Sequence, residues 1–497
     1  MWGAAACAQE APLASAAAGD KTAGVKAEHS QPAITIYNAD FAVVRQIVPL
    51  DLSPGINHIT FSNATAHIEP DSVILRDPSG RRELQVLEQN YRNDPVSQAM
   101  LLSLFEGKTI DFAVQRTDSE GHVKTEMIPG KIIRSGYARG QNGYTEPVIL
   151  VDGKIQFTLP GQPVFPNLGD GTILEPTLDW LMQSDKPGAI DSELSYVTGG
   201  FNWHADYNIV APEKGDVIDL IGWITMSNES GHTFEDARIK LMAGDVNKIQ
   251  PQSEIYTRAY KEARMADMAA PMPQAVREHA FDEFHLYSLE HSTTLRDHET
   301  KQVEFVAATQ VQAKKIYVYN GAAIDNYSYY SPDQIRNDAS FGTQSNAKVW
   351  VMEEFKNAKE NHMGIPLPKG RLRFYRRDND GQLEFTGENM IDHTPADETV
   401  RVYTGNAFDI VGERHRTNYK VDSRNLWMDE SFEIKVRNHK KDAAEVRVVE
   451  KLYRWTNWQI TDESMKHRKI DAQTVEFRVT VPPNGEQTVD YTVHYSW

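Results

Sequence analysis

The sequence predicts a mainly β protein: several β-sandwich or small-barrel domains, a C-terminal immunoglobulin-like sandwich, and few short helices. Three observations predict it. From Ile34 onward apolar and polar residues alternate in short runs, the period of a half-buried strand. Those runs are closed by turn residues, drawn from 31 Gly and 24 Pro. The chain of 497 residues is also too long for one hydrophobic core, so about two to four domains are expected.

Residues 1–31 read as a leader. Ala6-Cys7-Ala8 before Gln9 has the small-x-small form of a signal-peptidase site, without a basic n-region or a full apolar stretch. The expectation is a truncated secretory signal and a flexible leader; a disordered Ala-rich start and a degenerate lipoprotein box around Cys7 stay open. Cleavage after Ala8 would remove the single cysteine, and with it any disulfide, thiolate metal site or cysteine nucleophile.

A first β unit with one helix is expected over 32–107. "ITIYNADFAVVRQIV" and "HITF" flank Pro54-Gly55 as a meander or hairpin, and "DSVILRDPSGRRELQVLEQNY" repeats the device around Pro78-Ser79-Gly80. Asp94-Pro95 opens a helix that Gly107 ends, with Met100, Leu101, Leu104 and Phe105 on one face. Residues 108–190 predict a small β unit, with turns at 118–121 and Asp152-Gly153 and a short helix over 174–183. Residues 191–420 predict the central β region. In it "WITMSNESGHTFEDARIKL" reads as a hairpin turning near Gly231. Residues 256–282, rich in Met and Ala and broken by Pro271 and Pro273, read as an exposed, mobile insertion. "DNYSYYSPDQIRNDASFGTQSN" reads as a long loop, and Asp380-Gly381 as a hairpin turn. Residues 421–497 predict the terminal sandwich, with "SFEIKVRNHKKDAAEVRVVEKL" as a hairpin and Pro483-Asn484-Gly485 as a closing turn. Its first half echoes 223–241, with Asn438 in the place of Asn228.

"ITIYNADFAVVRQIVPLDLSPGINHITF", "ELSYVTGGFNWHADY", "ITMSNESGHTFEDARIKLMAGDVN", "EEFKNAKENHMGIPLPKGRLRFYRRDNDGQLEFTGENMIDHTPADETVRV" and "VPPNGEQTVDY" together resemble a domain-of-unknown-function family of secreted bacterial proteins related to the mucoidy-inhibitor-like proteins. The resemblance spans nearly all of 34–497. It implies export and a β-rich architecture, and supplies no catalytic residues. The mucoidy-inhibitor-like relatives usually carry a helical hairpin between β-domains, which here shrinks to the helix near 95–106 and the Met/Ala stretch.

A formal charge of −18 spread along the chain disfavours a nucleic-acid partner and electrostatic docking on anionic lipid. No run of about 18 apolar residues predicts a transmembrane span. Five places invite chemistry. In "GGFNWHAD" a Gly199-Gly200 corner launches a strand that puts His204 and Asp206 on one face, about 7 Å apart. With no third ligand at hand, the plain reading is a polar strand face. His279, His285, His291 and His298 are spaced by six, six and seven, which suits neither a helical nor a strand metal pair. Asp378, Asp380 and Glu384 faintly resemble a calcium loop that the hairpin turn already explains. Asp392 and His393 share a loop with Thr394, Asp397 and Glu398, where polar side chains are free to converge. Tyr327, Tyr329 and Tyr330, with Trp455 and Trp458, are candidate aromatic platforms, although core packing is the default for the two tryptophans.

No cofactor is called for. The favoured function is an exported, non-enzymatic β-domain protein that binds an envelope protein or a glycan. The alternatives are a metal-dependent or Asp/His hydrolase acting on envelope polymers, and a structural subunit assembling through β-edges.

Overall fold

The computed structural model describes residues 22–25, 31–117, 122–137, 146–168, 172–244, 246–248, 276–322, 331–422, 424 and 426–497. The protein is mainly β, with 63% of residues in strands and two short α-helices. Among the described residues the strands form sheets of four, five, eight and thirteen, none closed into a barrel.

Period-two burial builds these strands. Phe201, Trp203, Ala205, Tyr207 and Ile209 of the Phe201–Ala211 strand point into the largest core, while Asn202 and His204 stay exposed. The same alternation overturns the helix expected over 174–183. Leu178, Trp180 and Met182 are buried in a Thr177–Ser184 strand that pairs on both sides. Residues two apart on one face fit a strand and not a helix, and burying three such side chains contributes about 1.5–3 kcal/mol each. The helix near 95–106 is present but shorter. It runs Gln98–Leu104, capped by Ser97, whose Oγ accepts from the Met100 amide. Pro95 instead bridges Ile173.

Most of the expected hairpins are arches between sheets. The Phe41–Leu52 strand pairs with Gly188–Gly199, whereas Gly55–Ser62, beyond Pro54-Gly55, joins the four-stranded sheet. Ile74–Arg76 and Gln85–Arg92 likewise pair with different strands. Val217–Asn228 pairs with Phe201–Ala211 and Glu299–Tyr319, while Phe234–Ala243 pairs with Ala33–Tyr37 in the eight-stranded sheet. Trp427–Asn438 and Ala444–Lys451 also face one another across a core. Turn chemistry bends a chain in either case. Whether the two arms pair or cross is decided by which faces are apolar. True hairpins form at Asn38-Ala39-Asp40, at Asp152-Gly153 and around Asp380-Gly381. At Asp152-Gly153 both residues have positive φ, 48° and 73°.

Asn228 and Asn438 play one role in two arches. Each is buried. Each accepts, through Oδ1, the amide two residues on (Ser230 or Lys440), and donates Nδ2 to the carbonyl four residues on (His232 or Asp442). Nδ2 also donates across the core edge, to Leu295 in the first arch and to Val481 and Pro482 in the second.

The five-stranded sheet over Thr109–Val164 has its own small core around Phe112 and Ile132. The terminal sandwich is packed around Val446, Phe477, Val489 and Tyr495, and it also takes Tyr319, Phe341, Val349 and Ile410 from upstream of residue 421. Two long strands supply part of this. Glu299–Tyr319 lends Phe305 to the first core and Tyr319 to the second, and Thr399–Val421 lends Val400 to the first and Ile410 to the second.

The insertion expected over 256–282 lies outside the described residues up to 275. Its end, 276–281, is a strand with Val276 buried, so that part is not a linker. The long loop over 325–346 contains a helix, Pro332–Asn337, held by a Ser331/Gln334 capping box. The leader, apart from Thr22–Val25 and Gln31, and the 118–121 turn lie outside the described residues. Among the described residues no helix is long and apolar enough to cross a membrane.

Candidate functional site

The "GGFNWHAD" corner does launch a strand. Gly200 has φ of 80° and lies so close to Glu229 that an added Cβ would stand 2.7 Å from its carbonyl oxygen. Beyond it His204 and Asp206 share the face away from the core. Their backbones are two residues apart, yet His204 Nε2 reaches Asp206 Oδ2 at 3.0 Å. Asp206 is nearly buried, at 9% exposure, and a carboxylate there needs several donors. It has them: besides His204, Thr225 Oγ1 donates at 3.3 Å and Arg373 Nη1 at 3.4 Å. Gln302 Nε2 in turn donates to Thr225 Oγ1, extending the chain across three strands.

Arg373 arrives on the Gly370–Arg377 strand, which runs parallel to Phe201–Ala211 with Gly370 opposite Ala205. A Cβ on residue 370 would stand 2.2 Å from the Ala205 carbonyl oxygen, so only glycine lets these strands meet. The segment leading into it is tied down by buried phenols. Tyr207 donates to the Pro368 carbonyl at 2.6 Å and Tyr287 to the Pro366 carbonyl at 3.0 Å. Burial pushes both hydroxyls well above their ordinary pKa, which keeps them protonated as donors.

The same segment brings in His393. Leu367 and Thr394 exchange two backbone hydrogen bonds, and the Lys369 amide donates to His393 Nδ1 at 3.2 Å. His393 and His204, read from the sequence as separate candidates, therefore line one cleft of ≈600 Å³. Its other walls are Asn38 and Ala39 of the first hairpin turn, Asn202, Asp206, Val246, Lys369, Gly370, Arg371, Arg373 and Met390. Asp392 is exposed and lies off this wall, and the same is true of Asp397 and Glu398. Lys369, Arg371 and Arg373 are the site residues that the sequence reading missed. Their signal was the period-two basic alternation in "KGRLRFYRR", the rule already applied to His204 and Asp206.

The remaining candidates scatter. His285 Nδ1 lies 2.6 Å from Glu278, His298 lies 3.4 Å from Asp297, and neither pair joins the other histidines. Asp378 and Asp380 organise their turn, accepting and donating within 378–382. Among the described residues no group of three or more His, Cys, Asp or Glu side chains is placed to hold a metal ion. Trp455 and Trp458 pack partly buried against the second core, and the Arg336 guanidinium sits 4.5 Å from the Trp455 ring centre. Tyr327, Tyr329 and Tyr330 lie outside the described residues.

Neither a scan against models of known protein families nor a search of curated proteins returns a match for this chain.

Proposed function

We propose that the protein is an exported binding protein of the bacterial cell envelope, that it belongs with the secreted domain-of-unknown-function family its sequence resembles, and that it takes its partner in the cleft between His204 and His393. The supporting observation is convergence. Five separated stretches of chain meet at one half-open cavity on a β scaffold, and its volume, ≈600 Å³, suits a small ligand or the end of a larger one. A sheet face that holds polar side chains around a recess can present them to a ligand.

The test joins location to the cleft. The full-length gene product is fractionated, and a photo-cross-linking residue is placed at Met390, 53% exposed on the cleft wall, or at Ile470, 49% exposed and far along the chain. Recovery in the envelope fraction, with a cross-linked product from position 390 and none from 470, supports the reading. An uncleaved cytosolic protein, or equal labelling at both positions, removes it. A second reading draws on the His204–Asp206 pair, which with His393 nearby is the kind of couple that moves protons in hydrolysis. Turnover of the captured ligand would favour it.

A further inference from the structure

We infer that the cleft is an anion site, and that its ligand carries a carboxylate or phosphate group beside hydroxyls. This rests on the binding reading above and adds the chemistry of what is bound. The charges on the wall are unequal. Lys369, Arg371 and Arg373 face the cavity, against Asp206 as the only acid among its described lining residues. Arg373 is matched to Asp206 at 3.4 Å and to Glu388, beside the wall, at 3.8 Å. Among the described residues, neither the Lys369 ammonium nor the Arg371 guanidinium has a carboxylate within ion-pair distance, although acids outnumber bases by 70 to 52 in the chain. In a protein of charge −18, two unmatched cations on one concave wall are a local reversal of sign. Field lines from such a recess steer and hold anions.

The geometry narrows the class. The Arg371 guanidinium presents a planar fork that matches the two oxygens of a carboxylate or phosphate, while Lys369 acts as a point charge beside it. Asn38 and Asn202 place side-chain amides on the same wall, and neither makes a hydrogen bond among the described residues. An amide that both donates and accepts suits a hydroxyl. Met390 and Ala39 give the wall apolar surface for the body of the ligand.

Calorimetry on the full chain separates the possibilities, with glucose 6-phosphate, glucuronate, glucose and inorganic phosphate as probes. The expectation is that both charged sugars bind and glucose does not, with affinity falling as salt is raised. Arg371→Ala, at an exposed position, is expected to weaken the charged sugars by about ten- to a hundredfold, the worth of a charge-assisted hydrogen bond. Arg371→Lys should recover part of it, and Arg377→Ala, on the same strand but off the wall, should change nothing. Glucose binding as tightly as its charged relatives overturns the anion inference and leaves cleft binding standing. Inorganic phosphate binding as tightly as the sugar phosphate overturns the hydroxyl part and assigns the free ion. No binding of either charged sugar at millimolar concentration overturns the inference outright, and loss of the Met390 cross-link as well removes the reading beneath it.

Discussion

Glu450→Ala should destabilise the terminal sandwich far more than its single missing side chain suggests. Glu450 is fully buried and accepts Arg414 Nε at 2.9 and 3.1 Å and the Tyr491 hydroxyl at 2.6 Å. Arg414 is buried too, with its guanidinium 3.9 Å from the Phe432 ring centre and one further donor on the Gly342 carbonyl. Removing the carboxylate strands a buried cation, which costs about 3–5 kcal/mol, whereas replacing both charges with apolar side chains is often neutral. The assay is hydrogen exchange on peptides from the Trp427–Asn438 and Gly485–Ser496 strands, where that cost reads as exchange faster by about two to nearly four orders of magnitude. Arg414→Met combined with Glu450→Leu should recover most of the protection. Exchange in Glu450→Ala within threefold of wild type, or a double variant as exposed as the single one, would refute the reasoning.

Two further outcomes concern the close strand approach at the site and the pH response of the terminal sandwich. Gly370→Ala should prise the Gly370–Arg377 strand from Phe201–Ala211, costing about 1–3 kcal/mol for a forced backbone shift; faster amide exchange at 205–211 and weakened ligand binding would register it, and unchanged exchange would count against the close approach. Glu413, hydrogen-bonded first by His415 and then by Arg437, has its carboxyl lowered to about 2. A depressed acid contributes stability that is present above the unfolded pKa near 4.5 and lost as pH falls from there toward 2. Carbon-detected NMR should place its midpoint near the bottom of that window, and His415→Ala should move it up.

Strand positions were largely legible, because one apolar face imposes a period of two that survives without any knowledge of partners. Leu178, Trp180 and Met182 show where legibility failed: ten residues without a strong turn signal also fit a helix, and only flanking strands decide. Pairing was less legible still. Pro54-Gly55 and Gly231 announce a bend, yet the two arms of each go to different partners elsewhere in the chain, as Val44 opposite Tyr196 and Ile239 opposite Ile34 show. Asn228 and Asn438 were recognisable as equivalent because a buried asparagine holding an arch must sit at a fixed distance from the bend. For the site, the shared face of His204 and Asp206 was readable and their meeting with His393 was not. That meeting depends on the Leu367–Thr394 bridge and on two phenols that grip the segment before Gly370.

The two strands that run from one core into the other change what trimming this chain would do. A piece starting at residue 421 would leave behind Tyr319, Val349 and Ile410 and expose the apolar side they covered. Gln302, which braces the Thr225 hydroxyl behind Asp206, and Tyr319, which plugs the sandwich, belong to one 21-residue strand that bulges near Gln310. Cutting the chain within that strand would therefore take a brace from behind Asp206 and a plug from the sandwich at one stroke.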